Sequence, residues 1–280
     1  SRYGAHFRRR ASLDAANWCG DLARLLRGQR IDVEANRAIE AVIEEAGVEG
    51  TDEAREQAGQ RVATWQDEAA GKLADVILDS AGSEPGLLII NPLSFSRTVS
   101  VPLPQGSIPA PGQETLVRGV QAIDGRHVAI VDLPSCGFAW LATAAGHPDT
   151  VNDSAPLVEA PVLRNKFFEV HLNEKTGGIA RIKGYGRQPN VLSQQLTFRF
   201  PNERTFTIGN GENVEEITTW YSDMVCHGIE VTSDGPCIGE LVSHGDLVDQ
   251  QDGRRLAGFR QWVRTNRFRP SIDVEIELDI

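Results

Sequence analysis

Apolar residues in the first third of the chain recur every three to four positions, the period of helices that each bury one stripe. Trp18, Leu22, Leu25 and Leu26 share one face, Ile39, Val42 and Ile43 form a second stripe, and Val62, Trp65, Ala69, Leu73 and Val76 a third. The pattern predicts helix over about residues 12 to 80. Thr51 is placed to cap the third helix, with Asp52 and Glu53 in its first turn, where the helix dipole favours acids. Ser80-Ala81-Gly82 supplies the stop.

After Gly86 the period changes to two. Leu87 to Ile90 reads as a short buried strand, Thr98 to Leu103 alternates, and Asp124-Gly125 marks a hairpin between Val117–Ile123 and His127–Leu133. Cys136 to Ala142 is the next strand, and the small-residue stretch from Gly146 to Pro161 reads as a linker. Phe167 to Leu172 and Ile179 to Lys183 flank a second hairpin at Asn173–Gly178. Strands follow at Val225–Thr232, Ile238–Gly245, Leu256–Thr265 and Ile272–Ile280, while Gly209-Asn210-Gly211 reads as a loop. In the last strand Ile272, Val274, Ile276, Leu278 and Ile280 face one side, and Asp273, Glu275, Glu277 and Asp279 the other. A solvated sheet face, its acids opposite Arg260 and Arg264, accounts for the acidic row better than a calcium or catalytic site.

Composition narrows the function classes. A formal charge of −11 argues against a nucleic-acid partner. No stretch is apolar and long enough for a membrane helix, which argues against a membrane partner. Four scattered cysteines, Cys19, Cys136, Cys226 and Cys237, form no disulfide framework, so a reducing, cytoplasmic compartment is expected. Both ends read as cut, and the chain is expected to be part of a longer protein.

Few residues suggest chemistry. Cys226, His227, Cys237 and His244 lie close in sequence, but their spacing fits no zinc pattern, and buried thiols with strand-end histidines explain them better than a metal does. No nucleophile elbow, phosphate-cradling glycine loop or H-E-x-x-H helix is present. Trp220, Tyr221 and Asp223 form the most site-like cluster, because aromatic faces stack on sugar rings while carboxylates take hydroxyls. Against that, a Trp in an all-β protein is more often core than ligand platform.

One junction is more specific. Gly86-Leu87-Leu88-Ile89-Ile90 runs into Asn91-Pro92-Leu93-Ser94-Phe95-Ser96-Arg97-Thr98, after a long helix. This resembles the entry to the C-terminal β region in α-mannosidases of glycoside hydrolase family 38. Leu133–Phe138, Leu163–Val170 with Lys175–Ile182, and Val231–Pro236 are similar to later family segments in the same order. The similarity covers roughly residues 55 to 280 and is weaker before that.

The resemblance implies a retaining α-mannosidase-type hydrolase, of which this chain would supply a non-catalytic sandwich that packs on and helps close the active site. The nucleophile and the zinc would lie in an N-terminal catalytic domain outside this chain, so no catalytic residue, metal ligand or cofactor is assigned here. Trp220, Tyr221 and Asp223 are carried over as sugar-facing candidates. The alternative is a free-standing carbohydrate-binding or mutarotase-like module. The expected fold is α+β: a helical segment over 1–82, a small sheet region over 83–148 and a large, mainly antiparallel β-sandwich of galactose-mutarotase-like type over 149–280. The expected partners are that catalytic domain and carbohydrate, with homo-oligomerisation left open.

Overall fold

The computed structural model describes residues 2–78, 85–123, 125–147, 155–186, 192–210 and 213–280. The architecture is α+β, three helices followed by strands in mainly antiparallel sheets. Spatial contacts divide the chain into two compact units, Ser1–Arg97 with Leu133–Ala144, and Thr98–Asp132 with Ala145–Ile280. The ranges expected from the sequence follow the change of period along the chain, whereas these units follow contact in space.

The first unit holds α1 (Arg2–Leu26), α2 (Val33–Ala46) and α3 (Asp52–Leu78). Helix α1 starts ten residues earlier than the stripe predicts, taking in the basic run. Arg10 explains part of this, because its guanidinium reaches Glu40 at 3.1 Å and Glu44 at 2.7 Å on α2. The expected cap is present: Thr51 Oγ1 accepts from the Ala54 amide at 3.1 Å, and Asp32 does the same for Ala35 at 3.0 Å. Leu13, Ile43 and Val62 pack together, and Ala16, Cys19, Ala23, Ala69 and Leu73 form a second cluster against Trp18, Leu22 and Trp65. Full burial of such an aliphatic side chain is worth about 1.5–3 kcal/mol, so the stripes carry the bundle. The expected helix stop at 80–82 lies outside the described residues.

Strand β1 (Gly86–Asn91) pairs antiparallel with β6 (Gly137–Ala145) in the same unit. Buried Asn91 closes it. Its amide donates to the carbonyls of Phe95 at 2.8 Å and Pro134 at 2.7 Å, while its side-chain oxygen accepts from the Leu93 amide at 3.2 Å.

In the second unit β2 (Arg97–Pro102), β4 (Val117–Ile123) and β5 (Arg126–Leu133) form a sheet in the order β2-β5-β4, and β3 (Ser107–Pro109) is a short strand between β2 and β4 in sequence. Of the expected Asp124-Gly125 turn, Asp124 lies outside the described residues and Gly125 has φ 74°. Strands β7 (Val158–Glu159), β8 (Val162–Arg164), β9 (Phe168–Leu172) and β10 (Ile179–Gly184) make one four-stranded sheet. Strands β13 (Asp223–Asp234), β14 (Ile238–Val248), β15 (Arg255–Asn266) and β16 (Ile272–Asp279) make another, in sequence order. Their inner faces meet where Leu241 and Val263 pack on Leu157, Leu163, Val170, Leu172, Ile179 and Ile182. This is the sandwich core.

Polar turns lock this core. Asn173 Oδ1 caps the β9–β10 turn by accepting from the amides of Lys175 and Thr176, and Gly177 takes φ 78°. The Gly177 carbonyl then accepts from buried Ser243 Oγ at 2.7 Å and Gln261 Nε2 at 3.2 Å. Asn165 works similarly, accepting from the Phe167 and Phe168 amides and donating to the Asn266 carbonyl at 3.1 Å.

One pair of strands is new relative to the sequence reading. β11 (Arg199–Asn210) and β12 (Asn213–Tyr221) form a two-stranded ribbon. Gly209 and Asn210, expected in a loop, end β11, and Gly211 lies outside the described residues. Its apolar alternation is short: Phe206 and Ile208 alternate with Thr205 and Thr207, and Phe206 lies opposite Ile217, between charged and glycine-bearing stretches. Among the described residues no helix is long and apolar enough to cross a membrane.

Candidate functional site

The side chains expected to face sugar do not converge. Trp220 Nε1 donates to Glu203 Oε1 at 3.0 Å, and the Arg199 guanidinium lies 5.8 Å from the centre of the indole. Tyr221 follows Trp220 on the ribbon and therefore projects from the opposite face. Asp223 is exposed at the start of β13, and the intervening Ser222 is buried, accepting from the Phe198 amide at 2.8 Å. The Trp220 side chain thus has its hydrogen-bond partner within its own ribbon.

The four residues that suggested a metal also separate. Cys237 is buried beside Ile130 and Ile238, directly under Gly119, where an added Cβ would lie 2.5 Å from its sulfur. Burial pushes its thiol up to about 11, with Arg267 opposing the shift. Cys226 points its sulfur at the Gly228 carbonyl at 3.3 Å, and burial raises its thiol too. His227 and His244 do meet, edge to face, with ring centres 6.5 Å apart. Among the described residues no group of three or more His, Cys, Asp and Glu side chains is placed to hold a metal ion.

That histidine pair belongs to a larger constellation on the outer face of the β13–β16 sheet. The register places Gly228, His244, Arg260 and Glu277 side by side across four strands. The next row on that face is Val225, Asp246, Gly258 and Asp279. A register shift between Cys226 and Gly228 makes His227 the extra residue of a β-bulge, which turns its ring toward Asp246. His227 Nε2 lies 3.4 Å from Asp246 Oδ2. Arg255 folds across Gly258, donating to Asp246 Oδ1 at 2.8 Å and Asp279 Oδ2 at 3.3 Å. A Cβ at Gly258 would sit 2.3 Å from the Arg255 guanidinium, so the glycine makes room for this bridge. At Gly228 a Cβ would lie 2.9 Å from the His244 ring, which leans over that strand.

The result is an open depression of about 370 Å³ lined by His227, His244, Arg255, Arg260, Glu277 and Asp279, among others. The acids of β16 do stand opposite the arginines of β15, Glu277 by Arg260 and Asp273 by Arg264. The ion pairs run elsewhere. Arg264 bonds Glu240 at 2.6 Å, Asp273 pairs with Arg269, and Arg260 stacks over Trp262 at 5.0 Å. Sequence reasoning named His227 and His244 only as metal candidates. The bulge that brings them beside Arg260 and Glu277 has no one-dimensional signature beyond Gly228.

No protein-family model matches the chain, and no curated protein matches it.

Proposed function

We propose that this chain is part of a retaining α-mannosidase-type glycoside hydrolase and supplies its accessory β-sandwich, which packs on a catalytic domain and helps to close the site over a mannoside. One observation supports the reading above others: several segments that resemble the mannosidase family carry side chains that hold turns. Asn91 ties two turns by three hydrogen bonds, Asn165 ties the start of β9 to the end of β15, and Asn173 with Gly177 sets the β9–β10 hairpin against β14 and β15. Residues of this kind define a scaffold. Retaining hydrolysis needs a carboxylate nucleophile and an acid at a fixed separation, and in this reading both belong to the catalytic domain, as does the zinc.

Turnover of p-nitrophenyl α-mannoside tests the proposal. The chain alone is expected to show none, with or without added zinc, and co-expression with the α/β region encoded upstream is expected to give activity. Hydrolysis by the chain alone would overturn the accessory role. An upstream region without aspartate and histidine ligands would overturn the parentage.

A further inference from the structure

We infer that the depression on the outer face of the β13–β16 sheet is a binding site for a neutral polyhydroxylated ring, the size of one monosaccharide, held between Arg260 and Glu277 with His227 and His244 at its edge. The inference goes beyond the accessory role, since it assigns the sandwich a sugar site of its own, and it does not depend on the parentage.

Three features carry it. The hollow is open, and its volume of about 370 Å³ is large enough to seat one monosaccharide ring. The hollow is made by specific backbone devices: glycines at 228 and 258 on the same face, and a bulge at His227 that adds a ring where a regular strand would place none. The polar heads around it are divided into tied and free. Asp246 and Asp279 are bridged by Arg255 along one side. Among the described residues, the Arg260 guanidinium has an aromatic face beneath it and Glu277 makes no ion pair, although the register puts the two side by side.

The chemistry of the free heads selects the ligand. A guanidinium presents a planar fork of donors, a carboxylate accepts two hydroxyl protons, and a neutral imidazole offers one donor and one acceptor. Adjacent hydroxyls on a ring, each both donor and acceptor, satisfy all three at once. An anion fits less well, because among the described residues Arg260 stands beside Glu277, which makes no ion pair, and Arg255 is already neutralised by two acids. Trp220 lies on the separate β11–β12 ribbon and takes no part.

The test is an NMR titration of the full chain, following the imidazole signals of His227 and His244, with methyl α-mannopyranoside as probe and inorganic phosphate as the anionic comparison. Saturable shifts of both rings with the mannoside are expected, and none with phosphate. Arg260→Gln and Glu277→Gln are each expected to weaken binding by about tenfold, the scale of one lost charged hydrogen bond. Trp220→Ala is expected to bind as the parent does. Glu277 lies on the exposed edge strand, so its variant carries the test should the Arg260 variant fail to fold. The absence of any saturable shift, saturation by phosphate instead, or undiminished binding by Glu277→Gln would overturn the assignment. None of these outcomes bears on mannoside turnover, so the accessory-domain reading stands or falls separately.

Discussion

Asn91 Nδ2 donates to the carbonyl of Pro134 at 2.7 Å, joining two turns that lie 43 residues apart in sequence. The residue is 1% exposed, and the same amide also serves the Phe95 carbonyl, so it closes the Asn91–Gly137 end of the β1–β6 pair. Asn91→Ala leaves two buried carbonyls without donors and is expected to destabilise the fold by about 2–4 kcal/mol. Asn91→Asp keeps the acceptor but sets a carboxylate against two carbonyl oxygens, and is expected to cost at least as much. Urea unfolding checks both; midpoints equal to the parent would show that the turns hold without the clamp.

Gln121 does comparable work in the second unit. Its buried amide accepts from the Cys237 and Ile238 amides and donates to Ser233 Oγ and the Ile238 carbonyl, filling the β13–β14 turn. A Cβ at Gly235 would lie 2.1 Å from that amide. Gly235→Ala therefore displaces a fully bonded group, with an expected loss of about 2–3 kcal/mol. Pairing it with Gln121→Ala, which removes the obstructing amide, gives a double-mutant cycle. The two losses should be strongly sub-additive, and simple addition would refute the contact.

The Cys237 thiol is held in its neutral form by burial, with its acidity shifted up to about 11. A group whose folded value is raised stabilises the fold fully below its unfolded value and loses that contribution as pH climbs to the folded one. Stability is expected to decline between about pH 9 and pH 11, by an amount on the order of 2–3 kcal/mol. Cys237→Ala should flatten that alkaline slope in denaturation curves collected across the range. An unchanged slope would place the titrating group elsewhere.

Thiol reactivity separates the cysteines. Cys136 is exposed, with φ 44° in the turn before β6, whereas Cys19 and Cys237 are buried and burial raises both of their thiols. Only the thiolate attacks a disulfide reagent, so Cys136 is expected to be labelled first under native conditions. Peptide mapping after brief labelling checks this, and early modification of Cys237 would contradict its packing.

Glu169 makes the acid-side counterpart. Burial alone would raise its carboxyl, but hydrogen bonds from His171 at 3.1 Å and Arg164 at 3.3 Å outweigh burial and hold it below the ordinary carboxylate value. A lowered carboxyl contributes stability above its unfolded value and loses it as pH falls through the folded one. Glu169→Gln is expected to reduce stability near neutrality and to shrink the loss seen on acidification. Thermal unfolding followed from pH 7 into the carboxylate range, about 4 and below, reads both effects.

The order of the elements and much of the local chemistry are legible along the chain. Helical stripes and period-two alternation are properties of neighbouring residues, so α1–α3, β4, β5 and β13–β16 could be read directly. The Thr51 cap and the turn glycine at 177 are local too. The β11–β12 ribbon is harder to read, because its apolar alternation is confined to Phe206, Ile208 and Ile217 among threonines and charges.

Which polar groups meet depends on packing between distant strands. Asn91 as a bridge, Gln121 inside a distant turn, and Arg264 paired with Glu240 instead of the acid opposite it all follow from strands packed far apart in sequence. The outer-face depression is the sharpest case. It exists because a one-residue bulge places His227 on this face and Gly258 leaves room for Arg255, and a hydrophobic pattern carries no record of either.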